Sequence, residues 1–277
     1  MTSNTFVPFH INATAKDIEG NNGLGRYLLL PGSDGRAQQI AQRFDNLVIK
    51  NHPRGHHLYL GTLTHNGKII DVATVSTGMG CPSMEIILHE LFSLGAKRFL
   101  RVGTSGTLQP EQVKVGNLIN VQGSVRDEKT TTDYAPIGLP ALASLRFLKC
   151  ILSAAESLEL ANEIHTGIVH CKSSLYTREF GIGPMGAENK VYSQQIIDCG
   201  VLATEMETAT LFIQTQIYNH QLSQQGVGPK FTVLSGAILA GIADPSKPLG
   251  ASADYSETTN KAIALALETI KIMSMRD

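Results

Sequence analysis

The segment 98-RFLRVGTSG-106 passes from an apolar strand into a run of glycines and hydroxyl side chains. Arg101 stands inside the apolar part, where an ionised group without a partner is strongly destabilising. We therefore expect Arg101 to be paired by a carboxylate or by a bound anion. Residues 103–106 predict a glycine turn, in which the hydroxyl groups of Thr104 and Ser105 can donate to oxyanions. The alternative is a structural salt bridge at Arg101, beside a turn that merely ends the strand.

Length and composition bound the size and class of the protein. The 277 residues are 42% hydrophobic, which is enough for one large α/β domain or two small ones. No break in composition marks a boundary, so we expect a single domain over residues 1–277. The net charge of -1 does not indicate binding to a nucleic acid or to an anionic membrane surface. Any phosphate-binding site must therefore depend on a few nearby residues rather than on the charge of the whole protein.

The cysteines and the N-terminus indicate the compartment. The cysteines, 4 in number, lack Cys-x-x-Cys spacing, which favours neither a zinc site nor a disulfide framework. No basic segment followed by an apolar run opens the chain, and no stretch is long and apolar enough to span a bilayer. The sequence thus predicts a soluble, cytoplasmic protein with reduced thiols.

Apolar runs and helical periodicity alternate along the chain after an irregular arm at 1–25. Strands are predicted at 27–30, 69–76, the apolar part of 98–106, 115–121, 165–173 and 231–240. Helices are predicted at 37–44, 83–94, 139–158, 188–199 and 255–273, and a short strand from residue 201 passes into a helix that ends at 218. A hairpin is predicted at 51–64, a polar loop long enough to be a lid at 123–136, and a further loop at 241–251. This alternation predicts an α/β fold, a three-layer α/β/α sandwich around a mixed central sheet.

A second anion-binding arrangement follows the first predicted strand. Residues 31–36 read PGSDGR, so a glycine turn and a helix N-terminus end in Arg36. The glycine and lysine spacings of a Walker loop or a dinucleotide fingerprint are missing. Taken alone, Arg36 fits a solvated helix residue better than a ligand.

Three segments in this order resemble the signature of the nucleoside phosphorylase family: PGSDGR at 31–36, RVGTSG at 101–106 and EMETAT at 205–210. FHI at 9–11 and STGMGCPS at 76–83 extend the resemblance over nearly the whole chain, and it is closest to the uridine phosphorylase branch. It implies a pentosyltransferase that cleaves uridine or a related pyrimidine nucleoside with inorganic phosphate, giving free base and ribose 1-phosphate. It implies no cofactor beyond this co-substrate.

The resemblance also assigns residues to phosphate and ribose. Phosphate is held in the family by the matches of Gly32, Arg36, Arg101 and Thr104, and by an arginine of the adjacent subunit, for which Arg54 is the candidate. Ribose is held by the matches of Thr104, Met206 and Glu207, and by a histidine lent by the neighbour, which matches His10. Glu205 suits the first turn of the following helix as its cap, which leaves Glu207 for a ligand.

These residue types suit phosphorolysis. Cleavage of an N-glycosidic bond passes through an oxocarbenium-like sugar, and phosphate itself is the nucleophile, so no protein nucleophile is needed. The protein must aim the phosphate with guanidinium groups, hold the sugar hydroxyls with a carboxylate and stabilise the departing base. Arg36, Arg101 and Glu207 are therefore the predicted catalytic residues.

The base-binding residues match neither branch of the family fully. The candidates are Ser105, Gly106, Leu175, Tyr176 and Arg178. The uridine branch has a glutamine and an arginine shortly after an aromatic pair, and residues 174–181 lack that spacing. Arg178 and Glu179 are possible substitutes for them. The purine branch has an aspartate directly after the late strand, whereas Asp244 is displaced by a few positions. A purine nucleoside phosphorylase and a nucleosidase of the same family therefore remain alternatives, as does a non-catalytic protein that binds nucleosides or sugar phosphates.

Residues lent between subunits imply an oligomer. If His10 and Arg54 complete a neighbour's site, the active unit is at least a dimer, and the resemblance implies hexamers built from dimers. The uridine branch can hold a monovalent cation through a glutamate after the lent arginine, but Gly55 stands there. Histidines crowd residues 52–65 without a recurring ligand spacing. We therefore expect no metal, and a nucleoside and phosphate as the only small-molecule partners.

Overall fold

Continuous apolar runs form the strands of one mixed sheet, and the segments between them form the helices that cover it. The computed structural model describes residues 6–244 and 255–277. Its strands are β1 (Tyr27–Leu30), β2 (Asp45–Lys50), β3 (Leu58–His65), β4 (Lys68–Val75), β5 (Arg98–Thr107), β6 (Leu118–Asp127), β7 (Ala141–Leu142), β8 (Ile164–Lys172), β9 (Ala203–Glu205) and β10 (Leu234–Ala243). Its helices are α1 (Ala15–Ile18), α2 (Asp34–Ala41), α3 (Cys81–Ser93), α4 (Thr130–Tyr134), α5 (Leu145–Ser157), α6 (Tyr176–Phe180), α7 (Gly186–Asp198), α8 (Thr208–Gln224) and α9 (Ser256–Ser274). No helix within these two described segments is long and apolar enough to cross a membrane.

Part of the sheet closes on itself. The strands lie side by side in the order β2, β3, β4, β1, β5, β9, β8, β6 and β10, and β10 pairs again with β5. β1 is parallel to β4 and β5, β10 is parallel to β5, and β8 is parallel to β6 and β9. The remaining pairs, including β5 with β9 and β6 with β10, are antiparallel. Strands β5, β10, β6, β8 and β9 thus form a closed ring, and β1, β4, β3 and β2 extend from it as an open wing.

Helices cover both faces of this sheet. α3 and α8 pack together on one face, where Leu88 and Phe212 are fully buried. α2, α5 and α9 cover the other face, with Ile40 and Phe147 among the buried side chains. Burial of each such side chain contributes about 1.5–3 kcal/mol, so both interfaces stabilise the sheet between them. The prediction of a three-layer α/β/α sandwich around a mixed sheet is confirmed.

Two predictions about loops were wrong. Residues 103–106 do not form a turn, because β5 continues as a strand through Thr107. The polar loop predicted at 123–136 instead contains the end of β6 and all of α4. The guanidinium of Arg126 anchors this segment by donating to the carbonyl oxygens of Thr131, Ala135, Pro136 and Leu139 at 2.5–2.8 Å. The segment is therefore fastened to its own strand.

Several element boundaries also differ from prediction. The helix predicted at 139–158 begins only at Leu145, because β7 pairs with β6 just before it. Neither β2 nor α6 was predicted from the sequence. The arm at 1–25 includes α1, and its residues 1–5 lie outside the described segments. Of the loop predicted at 241–251, residues 241–243 belong to β10, and residues 245–251 lie outside the described segments.

A buried clamp ties the end of α9 to the start of β5. Arg98 is 1% exposed, and its Nε and Nη2 donate to the carboxylate of Asp277 at 3.0 and 3.2 Å. Its other donors go to the backbone carbonyls of Lys97, Lys230 and Thr232. The five N–H groups of the guanidinium are thereby all used within the protein.

Candidate active site

A cavity of about 260 Å³ lies where β1, β8, β9 and β10 end and β5 passes alongside them. Predicted site residues in its wall are Gly32, Arg36, Arg101, Thr104, Ser105, Gly106, Leu175, Met206 and Glu207. The wall is completed by Ser33, Met79, Lys172, Glu179, Thr204, Glu205 and Ile242. Segments far apart in the sequence therefore converge on one cavity, because the sheet brings their strand ends together.

Arg101 is buried in this wall between two carboxylates. Its Nη2 donates to Glu207 Oε2, and its Nε lies 3.4 Å from Glu205 Oε2 without hydrogen-bond geometry. Nε and Nη1 are buried and make no hydrogen bond to any residue of the described segments. Burial lowers the pKa of Arg101, but the charges of Glu207 and Glu205 outweigh it and the pKa is raised. Arg101 is thus a permanent cation with donors to spare.

Arg36 brings a second guanidinium to the same cavity. Ser33 begins α2 by accepting from the backbone N–H of Arg36, which sets the first turn of the helix. The Arg36 side chain is half-buried, and Nη1 donates to the carbonyl oxygen of Val102 at 3.4 Å. Burial and the nearby charge of Arg101 lower the pKa of Arg36 to about 10. Two cations that destabilise one another in this way favour an anion between them.

Glu205 and Glu207 divide two roles between them. The Glu205 carboxylate accepts from the backbone N–H groups of Glu207 at 2.9 Å and Thr208 at 3.0 Å, and from the Thr208 hydroxyl at 2.6 Å. It therefore caps the start of α8, as predicted from its position in the sequence. Burial raises the pKa of Glu205, but Arg101 and the Thr208 hydrogen bonds outweigh this and lower it.

Glu207 lies in the same cavity wall but does not cap the helix. Its Oε1 accepts from the Gly80 N–H at 2.6 Å, and its Oε2 accepts from Arg101. Gly80 precedes α3 with φ of 85°, a backbone conformation that favours glycine. Burial, together with the neighbouring charge of Glu205, raises the pKa of Glu207 although Arg101 opposes the shift. A carboxylate beside two guanidinium groups can accept from hydroxyl groups of a ligand.

Lys172 and Glu179 form an ion pair in the wall of the same cavity. Glu179 was a possible base-binding residue from the sequence, whereas Lys172 was missed. Lys172 is 2% exposed, its Nζ lies 2.8 Å from Glu179 Oε2, and it donates to Thr204 Oγ1 at 2.6 Å. The sequence did contain a signal for Lys172, because this charged residue ends the apolar part of β8. Arg101 is likewise a charged residue in the apolar part of β5. Leu175, Met206 and Ile242 contribute apolar surface to the same cavity.

Two predicted base-binding residues lie outside this cavity. Arg178 donates to Asp127 Oδ1 at 2.6 Å and Oδ2 at 2.7 Å, and its guanidinium lies 4.4 Å from the Tyr192 ring centroid. It lines an adjoining cavity of about 240 Å³. Tyr176 is 67% exposed and lines neither cavity.

The two residues predicted to be lent to a neighbour also lie outside the cavity. His10 Nδ1 is 2.7 Å from Glu90 Oε1, and the Glu90 carboxylate also accepts the backbone N–H of His10 at 3.0 Å. The Arg54 guanidinium lies 5.7 Å from the ring centroid of Phe9. Both His10 and Arg54 therefore lie next to the Phe9 ring.

The histidines at 52–65 make separate contacts. His57 Nδ1 accepts the backbone N–H of His52 at 2.9 Å, and His56 Nδ1 lies 2.9 Å from the Ser76 carbonyl oxygen. Over residues 6–244 and 255–277, no three His, Cys, Asp or Glu side chains are grouped as ligands for a metal ion.

Several named proteins are similar to this chain. A family model described as the Phosphorylase superfamily matches residues 26–228. A uridine phosphorylase of Treponema pallidum is 32% identical over 275 residues, which cover 99% of this chain and 96% of that protein. A uridine phosphorylase of Thermococcus kodakarensis is 33% identical over 219 residues, covering 76% of this chain and 73% of that protein. A guanosine phosphorylase of Halorubrum lacusprofundi is 31% identical over 184 residues, covering 66% and 69% respectively.

Proposed function

Because the chain belongs to the Phosphorylase superfamily, we propose that it is a nucleoside phosphorylase that cleaves uridine or a related pyrimidine nucleoside. One phosphate oxygen attacks C1′ of the sugar, the bond from C1′ to the base nitrogen breaks, and its electron pair leaves with the base. The base then takes up a proton, and the products are free base and ribose 1-phosphate. The convergence of Arg36 and Arg101 on one cavity carries this proposal.

Arg36 and Arg101 form the proposed phosphate-binding site. Arg101 keeps Nε and Nη1 free of hydrogen bonds within the described segments, and Arg36 makes a single long bond to a carbonyl. A phosphate placed between them gains charge-assisted hydrogen bonds and relieves the repulsion between the two cations. Thr104 adds a hydroxyl at the same wall. The phosphate is thereby desolvated and aimed before it reacts.

Glu207 then holds the ribose. In the structure Glu207 Oε2 is paired with Arg101, and this pair is kept when phosphate takes the free Nε and Nη1 donors of Arg101. The Gly80 N–H fixes Oε1. The carboxylate positioned in this way has acceptor capacity left for the 2′ and 3′ hydroxyl groups of the ribose.

Two related activities are the alternatives. The guanosine phosphorylase among the relatives supports a purine nucleoside as the substrate. A nucleosidase would use water, which needs no pair of guanidinium groups, so Arg36 and Arg101 favour phosphorolysis over hydrolysis.

The proposed active unit is a homo-oligomer, a hexamer built from dimers. His10 and Arg54 each lie next to Phe9 and neither lines the cavity, which suits residues that complete the site of an adjacent subunit. The reaction needs no cofactor apart from phosphate. The free thiols of all four cysteines suit the reducing cytoplasm, where we place the activity.

A substrate panel tests the proposal. Uridine, thymidine, inosine, guanosine and adenosine are incubated with and without phosphate, and free base and ribose 1-phosphate are measured. We expect base release only with phosphate, and fastest from uridine or thymidine. Phosphate-independent release would indicate a nucleosidase, and a preference for inosine or guanosine would indicate a purine phosphorylase. Binding of ribose 1-phosphate without turnover of any nucleoside would indicate a non-catalytic protein.

A further inference from the structure

We propose that His56 is a positioning residue for ribose binding. It fixes the loop from Ser76 to Gly80, and the Gly80 N–H of this loop holds the carboxylate of Glu207. The inference rests on the proposed function, because it concerns how Glu207 is presented to the sugar. It begins from a half-buried histidine that lines neither of the two cavities described above.

The loop from Ser76 to Gly80 connects β4 to α3 and has no regular secondary structure. Ser76 and Thr77 are buried, whereas the Met79 side chain lines the cavity of about 260 Å³. Gly78 and Gly80 have φ values of 73° and 85°, in the region that favours glycine. Since the loop lacks the hydrogen bonds of a helix or strand, its shape depends on contacts from neighbouring segments.

His56 and Ser83 hold this loop from outside. A carbonyl oxygen can only accept, so His56 Nδ1 donates to the Ser76 carbonyl oxygen at 2.9 Å, and the Ser76 hydroxyl oxygen lies 3.1 Å from the same nitrogen. The Ser83 hydroxyl donates to the Thr77 carbonyl oxygen at 2.6 Å. A Cβ atom on Gly78 would collide with Ser83 Oγ and lie 3.6 Å from His56 Cε1. The two side chains therefore pack against the middle of the loop and also bond its first two residues.

The end of the same loop determines the position of Glu207. The Gly80 N–H donates to Glu207 Oε1 at 2.6 Å, and Glu207 is 6% exposed. Because Gly80 follows Ser76 closely along the chain, displacement of the Ser76 peptide displaces this N–H as well. Thr77 keeps its own hydrogen bond to the Pro31 carbonyl oxygen at 2.9 Å, so loss of the histidine shifts the loop without releasing it. A carboxylate turned away from the 2′ and 3′ hydroxyl groups then holds the sugar less well.

Two other roles for His56 lead to different results. One is that it fixes the segment that carries Arg54, which is proposed to bind the phosphate of an adjacent subunit, and the KM for phosphate then rises. The other is that it only stabilises the fold, and all substrates are then affected equally. Action through Glu207 is felt most by a sugar with both hydroxyl groups. Uridine and 2′-deoxyuridine are therefore the pair to compare, because they differ only at the 2′ position.

The experiment compares His56→Leu, His56→Asn and wild type with both nucleosides and inorganic phosphate. We expect kcat/KM with uridine to fall about tenfold in His56→Leu, the upper range for one lost hydrogen bond. The loss with 2′-deoxyuridine should be smaller by about threefold or more, and the KM for phosphate should stay within about twofold of wild type. His56→Asn places an N–H at the same distance from the backbone as Nδ1 and should recover most of the uridine activity.

His65→Leu is the matched control, because β3 begins just after His56 and ends at His65, which lines neither cavity. It should leave both rates unchanged. Equal losses of His56→Leu with the two nucleosides, an unchanged uridine rate or a raised KM for phosphate would overturn the proposal. Melting curves verify that the variants are folded. If His56→Leu does not fold, Ser83→Ala removes the hydrogen bond to Thr77 and is measured with the same expectations.

Failure of the proposed function gives a different result from failure of this inference. If wild type releases base without phosphate, the phosphorylase assignment fails, and the comparison of the two nucleosides still tests His56 in the hydrolysis. If wild type cleaves no nucleoside, calorimetric binding of ribose 1-phosphate is measured instead. A loss of affinity of about tenfold in His56→Leu would then support the positioning of Glu207, and equal binding would refute it. Wild type that neither cleaves nucleosides nor binds ribose 1-phosphate would refute both proposals.

Discussion

Arg98 and Arg101 lie three residues apart on β5, and the two buried guanidinium groups differ in how far their donors are used. The N–H groups of Arg98 donate to Asp277 and to backbone carbonyls. In contrast, Nε and Nη1 of Arg101 make no hydrogen bond to any described residue. The same residue type in the same strand is therefore structural at 98 and available to a ligand at 101.

The sequence could distinguish these two arginines only through their neighbours. The glycine and hydroxyl residues that follow Arg101 indicated that it binds an anionic ligand. The structure shows two carboxylates beside Arg101, and a carboxylate was one of the two partners expected for it. The partner of Arg98 is 179 positions away along the chain, which no local pattern reveals. Lys172 was missed for a related reason, since Glu179 becomes its partner only when α6 folds back on β8.

Replacement of Arg101 by Ala is predicted to abolish phosphorolysis of every nucleoside alike. The variant loses the buried guanidinium of the phosphate-binding site. We therefore expect kcat/KM to fall about a thousandfold with the order of substrates unchanged. Steady-state rates with the nucleoside panel check this. Arg101→Lys keeps the charge without the guanidinium fork and should retain part of the activity. A changed substrate order at a retained rate would contradict the assignment of Arg101 to phosphate.

At the scale of elements, β5 shows why the predicted turn at 103–106 was wrong. Gly, Thr and Ser in succession have the composition of a turn. Long-range pairing decides otherwise, because Gly103 pairs with Leu239 of β10 and Gly106 pairs with Thr204 of β9. Glycine at 103 has a steric reason instead. A Cβ atom there would lie 2.6 Å from Leu239 Cδ2 and 3.0 Å from Arg101 Nε.

Gly103→Ala is therefore predicted to weaken phosphate binding through Arg101. The added methyl group displaces the guanidinium or Leu239, and overpacking of this kind costs about 1–3 kcal/mol of stability. We expect the KM for phosphate to rise about tenfold while the KM for nucleoside changes less, since a shift of 1.4 kcal/mol is a factor of ten. Gly138→Ala is the control, because no atom lies within 4 Å of its added Cβ. An unchanged KM for phosphate in folded Gly103→Ala would contradict this account.

At the scale of the whole molecule, the closed ring of strands is what assembles the site. β5, β8 and β9 belong to the ring and supply Arg101, Lys172 and Thr204, whereas Arg36 comes from α2, which follows β1 in the open wing. Alternating apolar runs predicted the layers and most of the strands. They could not predict the ring, because its closure depends on β9 and β10 pairing with strands that are distant in sequence. Motifs indicated the residues proposed here for phosphate and ribose, whereas no motif indicated Lys172.

The buried clamp between α9 and β5 makes the stability of the whole fold depend on pH. Burial raises the pKa of Asp277, but hydrogen bonds and charge from Arg98, together with Tyr27 and Arg146, outweigh it and lower the pKa. A carboxyl group with a lowered pKa in the folded state stabilises that state above its unfolded pKa of about 3.9. This contribution is lost as the pH falls through the folded pKa.

Asp277→Asn is accordingly predicted to destabilise the protein at neutral pH and much less in acid. Removal of one partner from a buried ion pair costs on the order of 3 kcal/mol, because Arg98 is left charged and buried. Urea unfolding of both proteins from pH 7 to pH 3 measures the difference in free energy of unfolding, which should be constant down to about pH 4 and then shrink. Glu163→Gln removes a partly exposed pair with Lys261 and should change stability by less than about 1 kcal/mol throughout. A difference between wild type and Asp277→Asn that stays constant to pH 3 would show that the clamp acts through packing rather than through its charge.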